Sequence, residues 1–150
     1  MKPIWKPKYS VMLSLVVTYL SGAALLAGMF TMPLLLEQLL LPGEYYRSYA
    51  PVLVTFYACC PAGWAAIIAL LKLLHNIRAG RVFIWQNITL LRLLSWCFVF
   101  VALVSLAAVY WDLLMFIFVV AAGFLAIILR VVKNVMAEAT RLREESDLTI

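Results

Sequence analysis

Charged residues are scarce in this sequence: 12 Lys and Arg and 7 Asp and Glu in 150 residues, beside a hydrophobic fraction of 67%. Soluble domains use roughly 45–50% apolar residues, so a shortage of this depth excludes a water-soluble globule. Period-two alternation of apolar and polar residues is also missing, which excludes a membrane β-barrel. The remaining class is an all-α integral membrane protein, because a helix pairs its own backbone N–H and C=O groups where no water can do so.

Further absences narrow the chemistry. There is one histidine, His75, and the three cysteines, Cys59, Cys60 and Cys97, sit in apolar runs with no second ligand at metal-binding spacing. No metal, cofactor or structural disulfide is expected from them. The HExxH, GxSxG and phosphate-loop patterns do not occur. Away from their ends the apolar cores carry no charged side chain, the usual mark of an ion pathway, proton relay or intramembrane active site. A non-enzymatic protein is the expectation.

What is present is four apolar stretches, at about residues 10–32, 51–71, 88–110 and 113–133, each close to the ~20 residues that a crossing helix needs. The first follows Lys2, Lys6 and Lys8, but its run is too long for a cleaved secretory leader, so it reads as a retained helix. Of the 12 basic residues only Arg47 falls among the second set of connections; the others precede the first stretch, surround the link between the second and third, or follow the fourth. The positive-inside rule then predicts a single four-span domain, residues 1–150, with both termini cytoplasmic. The basic balance reads as a topology signal and an attraction to anionic lipid, and not as nucleic-acid binding.

Between the first two stretches, Pro33 and Pro42 bracket an apolar segment that either extends the first helix or lies in the interface. Tyr45, Tyr46 and Tyr49 follow it and suit an aromatic belt. Gly22, Gly28 and Gly123 are candidate helix-packing positions, and Pro61 should kink the second helix. Asp112 and Asn87 are the expected N-terminal caps of the fourth and third helices.

Two cytoplasmic segments carry the functional candidates. In "LLKLLHNIRAGRVFIWQNITLLRLL", Gly80 suits the left-handed residue that ends a helix, with Arg78 and Arg81 beside it and Phe83 and Trp85 returning to the interface. In "RVVKNVMAEATRLREESDLTI", an amphipathic stripe of Val131, Val132, Val135, Ala139 and Leu142 predicts a tail helix over about residues 134–145, followed by a short extended end. We expect the acidic tail to fold back, pairing Glu144, Glu145 or Asp147 with Arg78 or Arg81. We also expect this surface to dock a partner.

These segments resemble the small bacterial membrane family called domain of unknown function 2975. The matching residues are Gly80, Phe83, Asn87, Leu91 and Arg92 in the loop. In the tail they are Leu142, Glu144, Glu145, Asp147, Leu148, Thr149 and Ile150. The first half of the chain resembles the family in hydropathy and span count. Ala139-Thr140 departs from it where a glycine is expected, which questions tight packing there. The resemblance implies a four-span fold without catalytic residues. It also implies a partner, since genes of the family commonly neighbour one for a small Xre/Cro-type helix-turn-helix regulator.

The expected function is therefore regulatory: a self-associating membrane protein that sequesters or signals to such a regulator through its loop and tail. The alternatives are a small transporter, channel or hydrophobic-ligand-binding subunit, and an immunity or peptide-resistance protein.

Overall fold

The computed structural model describes residues 7–39 and 42–149, with side chains described from Tyr9 in the first helix and from Tyr49 in the second. Four helices fill these residues: α1 (Pro7–Leu39), α2 (Pro42–Arg78), α3 (Trp85–Ala108) and α4 (Met115–Leu148). All four are long and apolar enough to cross a membrane. At about 1.5 Å per residue, α1, α2 and α4 reach about 50–55 Å and α3 about 36 Å, so only α3 approaches the ~30 Å of a hydrocarbon core. The other three project into water or headgroups. Large apolar side chains such as Leu20, Phe30, Leu113 and Ile117 point outward along them, as lipid requires.

Pro33 does not end α1. Its missing N–H leaves the Met29 carbonyl without a partner one turn earlier, and the Tyr57 hydroxyl of α2 donates to that carbonyl at 2.6 Å. The segment after Pro33 therefore extends the first helix to Leu39 instead of lying in the interface. Tyr45 and Tyr46 fall outside the described side chains. Thr18, Ser21, Thr31 and Thr55 each donate to the carbonyl four residues earlier, at 2.7–3.0 Å. Such back-bonding lets hydroxyls sit on membrane helices without an unmet donor.

Each helix packs antiparallel on the next in sequence, and among the described residues no other pair of helix backbones comes into contact. The bundle is thus open along the α1 to α4 side. Close approach between α1 and α2 uses small residues. A Cβ on Gly63 would stand 3.1 Å from Leu25, closer than at Gly28 (3.4 Å from Phe56) or Gly22 (3.7 Å from Ile67). Gly63 is the tightest of these positions, and the spacing of glycines along α1 gave no hint of it.

Two packing expectations are corrected. A Cβ on Gly123 would meet nothing within 4 Å, so this glycine leaves a gap beside α3 and does not seat a helix. Pro61, expected at a packing kink, lies on the exposed side of α2, which continues as helix through Pro51 and Pro61 to Arg78. The connection between α3 and α4 is a turn in which the Leu114 N–H donates to the Asp112 carboxylate at 2.9 Å, ahead of α4.

The inward-facing core lies near one end. Ala69 and Leu73 of α2 pack with Leu90, Leu91 and Leu94 of α3, and Leu129 and Met136 of α4 close over them. At the opposite end, Met32, Thr55 and Cys59 are level with Ser105 and Met115. The last turns of α1 and the first of α2 therefore continue beyond the end of α3.

Candidate functional site

The end of the bundle that carries the core also gathers Lys72, Arg78 and Arg81 of α2 and its connection, Arg92 of α3, and Arg130, Lys133, Arg141 and Arg143 of α4. The connection between α2 and α3, residues 79–84, is built there from local chemistry. Gly80 takes φ +76°, a conformation that costs a residue with a Cβ. Its N–H donates to the Ile77 carbonyl and the Arg81 N–H to the Asn76 carbonyl, both at 3.0 Å. Together these form a Schellman closure, which satisfies the last carbonyls of α2. The left-handed glycine expected from the sequence is in place.

Asn87 is fully buried. It does not cap α3, whose N-cap is Ile84; it stands in the first turn and faces back into the connection. Its Nδ2 donates to the carbonyls of Arg81 (2.9 Å) and Val82 (2.8 Å), while its Oδ1 accepts from Asn76 Nδ2 at 2.8 Å. One amide thus satisfies two loop carbonyls and ties α2 to α3. An amide suits this position because it offers two donors and an acceptor with no charge to desolvate. The position of Asn76, one residue after a histidine in an apolar stripe, gave no sign of this partnership; it emerges only when the two helices meet.

The tail contacts the same connection. α4 runs unbroken through residues 134–148, so the expected extended end is helical to Leu148, and Ile150 lies outside the described residues. Antiparallel packing brings Glu144 level with the start of α3, where the Trp85 indole N–H donates to Glu144 Oε1 at 2.7 Å. The Arg143 guanidinium lies 6.0 Å from the centre of the Phe83 ring, at the outer range of a cation–π contact. Two adjacent tail residues thereby contact Phe83 of the connection and Trp85 at the start of α3.

The tail reaches the connection as the straight continuation of α4, and the expected ion pairs do not form. Among the described residues no carboxylate pairs with Arg78 or Arg81. Glu144 serves Trp85, and Glu145 turns to Arg141 of its own helix at 3.6 Å, where Glu138 also lies at 2.9 Å. Asp147 and Leu148 are exposed beyond the contact. The reason is register: Arg78 and Arg81 lie on the α2 side of the loop, whereas α4 packs on α3 and meets the connection only on its α3 side, at Phe83. Thr140 is almost wholly buried, with its hydroxyl donating to the Met136 carbonyl at 2.8 Å. The tail is therefore tightly seated without a glycine at that point.

Hydrogen bonding also joins the spans: Ser95 Oγ of α3 donates to the Ala126 carbonyl of α4 at 3.0 Å. His75 is exposed at the basic end, and among the described residues no group of His, Cys, Asp or Glu is arranged to hold a metal.

Four apolar antiparallel helices with a structured basic end define a multi-pass α-helical membrane protein. Within that class the chain belongs to the family described as "Protein of unknown function (DUF2975)", whose family model matches residues 36–150, from the last turns of α1 through α4. Neither the curated proteins nor the solved structures give a match to this chain.

Proposed function

We propose that this protein is a non-enzymatic regulatory membrane protein that acts through its basic end. The observation that carries the reading is the seating of the α4 tail on the α2–α3 connection, through Glu144 on Trp85 and Arg143 beside Phe83. A contact of this kind is exposed and individually weak, so its two states lie close enough in energy for a binding event to shift them. The tail also presents Val131, Val135 and Leu142 outward, an apolar stripe suited to an amphipathic partner helix. We assign the partner as a small helix-turn-helix regulator, held at the membrane and released when the tail changes state. The basic end would face the cytoplasm of a bacterial cell, since it holds nearly all the positive charge.

The test is capture from the host's soluble proteins, using the full-length chain and a chain ending at Arg141. Retention of a helix-turn-helix protein by the full-length chain alone supports the reading, and retention of none removes it. Orientation is checked separately with Ser146→Cys, which should resist a membrane-impermeant maleimide in intact cells and react after lysis.

One observation favours a second reading, a subunit that binds a hydrophobic ligand. A groove of about 400 Å³ lies between α1, α2 and α3, lined by residues including Val17, Leu25, Gly63, Leu94 and Phe98. Its lining is almost wholly apolar, and its volume falls in the ordinary range of small-molecule sites.

A further inference from the structure

A second, smaller groove differs from the first in having charge at its mouth. It runs between α3 and α4, has a volume of about 220 Å³, and is lined by Val99, Ala102, Gly123, Ala126, Ile127 and Arg130. Gly123 keeps it open, because no atom stands within 4 Å of where its Cβ would be. Arg130 closes the groove at the basic end and lies 5.9 Å from the centre of the Trp96 ring. Arg92, Trp96, Val99 and Leu103 occupy successive turns of one α3 face (i, i+4, i+7, i+11), so Arg92 belongs to the same mouth. Lys133 follows Arg130 by one turn of α4 and is half-buried.

Among the described residues none of these three cations pairs with a carboxylate, for the ion pairs of the chain involve Arg141 alone. They stand near the ends of the apolar stretches, at the basic end of the bundle. We propose that the α3–α4 groove is a binding site for an anionic phospholipid, with the phosphate held by Arg92, Arg130 and Lys133 and one acyl chain lying in the gap at Gly123.

Four features select this occupant. Basic pockets between membrane helices on the side facing anionic lipid are suited to phosphate headgroups. The groove is open and not enclosed, which fits a chain lying against two helices better than a compact ligand. A second copy of the protein related by two-fold symmetry would set a like cluster of cations against this one, so the charge disfavours self-association through this face. Trp96, with its indole at the boundary, has the amphipathic character expected beside a headgroup. The site is independent of the regulator reading and stands or falls separately.

The test is native mass spectrometry of the full chain in detergent, titrated with phosphatidylglycerol or with phosphatidylcholine carrying identical acyl chains. The wild type should retain one phosphatidylglycerol per chain and little phosphatidylcholine. Arg92→Gln with Arg130→Gln should weaken phosphatidylglycerol retention by about 30-fold, given ~1 kcal/mol for each cation near the surface. Lys72→Gln with Arg78→Gln removes equal charge at the same end, outside the groove, and should leave retention near the wild-type level. Gly123→Leu fills the gap without altering charge and should also reduce retention. Thermal unfolding without lipid shows which variants remain folded. Equal retention of the two lipids by the wild type, or an equal loss from the two double substitutions, would overturn the site. So would unchanged retention in folded Gly123→Leu.

Discussion

The two ends of this bundle are held by different physics. At the basic end, a buried amide pair, a left-handed glycine and a five-residue apolar core fix the α2–α3 connection. At the opposite end, α1 and α2 run past α3, and the described interhelical hydrogen bond between them is the one from Tyr57 to Met29. The difference follows from the surroundings. Near water, apolar burial is favourable and loop carbonyls compete with solvent. At membrane depth, lipid is as apolar as leucine, so helices associate through close approach and occasional hydrogen bonds. Among the described residues the basic end is the better packed, and the functional candidates are built on it.

The contrast breaks most severely at Asn87. Replacing it with leucine should destabilise the protein by about 2–4 kcal/mol, since the Asn76 amide and two loop carbonyls would be left buried and unpaired. Hydrogen exchange over residues 76–90 should accelerate sharply, with the α1–α2 amides little changed. Uniform acceleration would show that the two ends do not differ in the way described. Next in size is Gly80→Val, expected to cost about 1–2 kcal/mol through its positive φ; the Arg81 amide should lose protection, and Gly80→Asn should retain most of it.

On the opposite end, Tyr57→Phe removes the donor to Met29 and should cost about 1 kcal/mol. Its effect should be confined to the turns of α1 after Met29, read as faster exchange there without loss at the basic end. The smallest effect belongs to Glu144→Ala. Its contact is exposed, and a loss of about 0.5 kcal/mol is expected. The Trp85 indole N–H resonance should move upfield while Asn87 side-chain resonances stay in place. A large shift at Asn87 would mean that tail and clasp form one cooperative unit.

Much of this arrangement was legible in the chain, for reasons that can be named. Apolar runs longer than a bilayer is thick leave a backbone no option but helix, so four helices follow from composition and length. Gly80 was legible because a helix that must reverse direction within a few residues needs a left-handed closure. The partners of the tail were not legible. Periodicity placed Glu144 on a helix but could not say which residues of α3 its register would meet, and opposite charge suggested Arg78 and Arg81 where an indole N–H took the carboxylate. Asn76 and Asn87 stand eleven residues apart with a turn between them, and neither neighbourhood marks the other as its partner.

Gly123 and Gly63 show the same division. Both read as small residues in apolar helices, yet one leaves an empty gap and the other meets Leu25 at 3.1 Å. The sequence by itself determined the four helices, the segregation of positive charge and the reversal at Gly80, since each depends on local composition and backbone sterics. Only the tertiary structure decided the Asn76–Asn87 clasp, the Trp85–Glu144 contact and the cationic mouth of the α3–α4 groove. Each of these depends on the axial register between antiparallel helices, and that register is set by side-chain packing across a seam that no single segment contains.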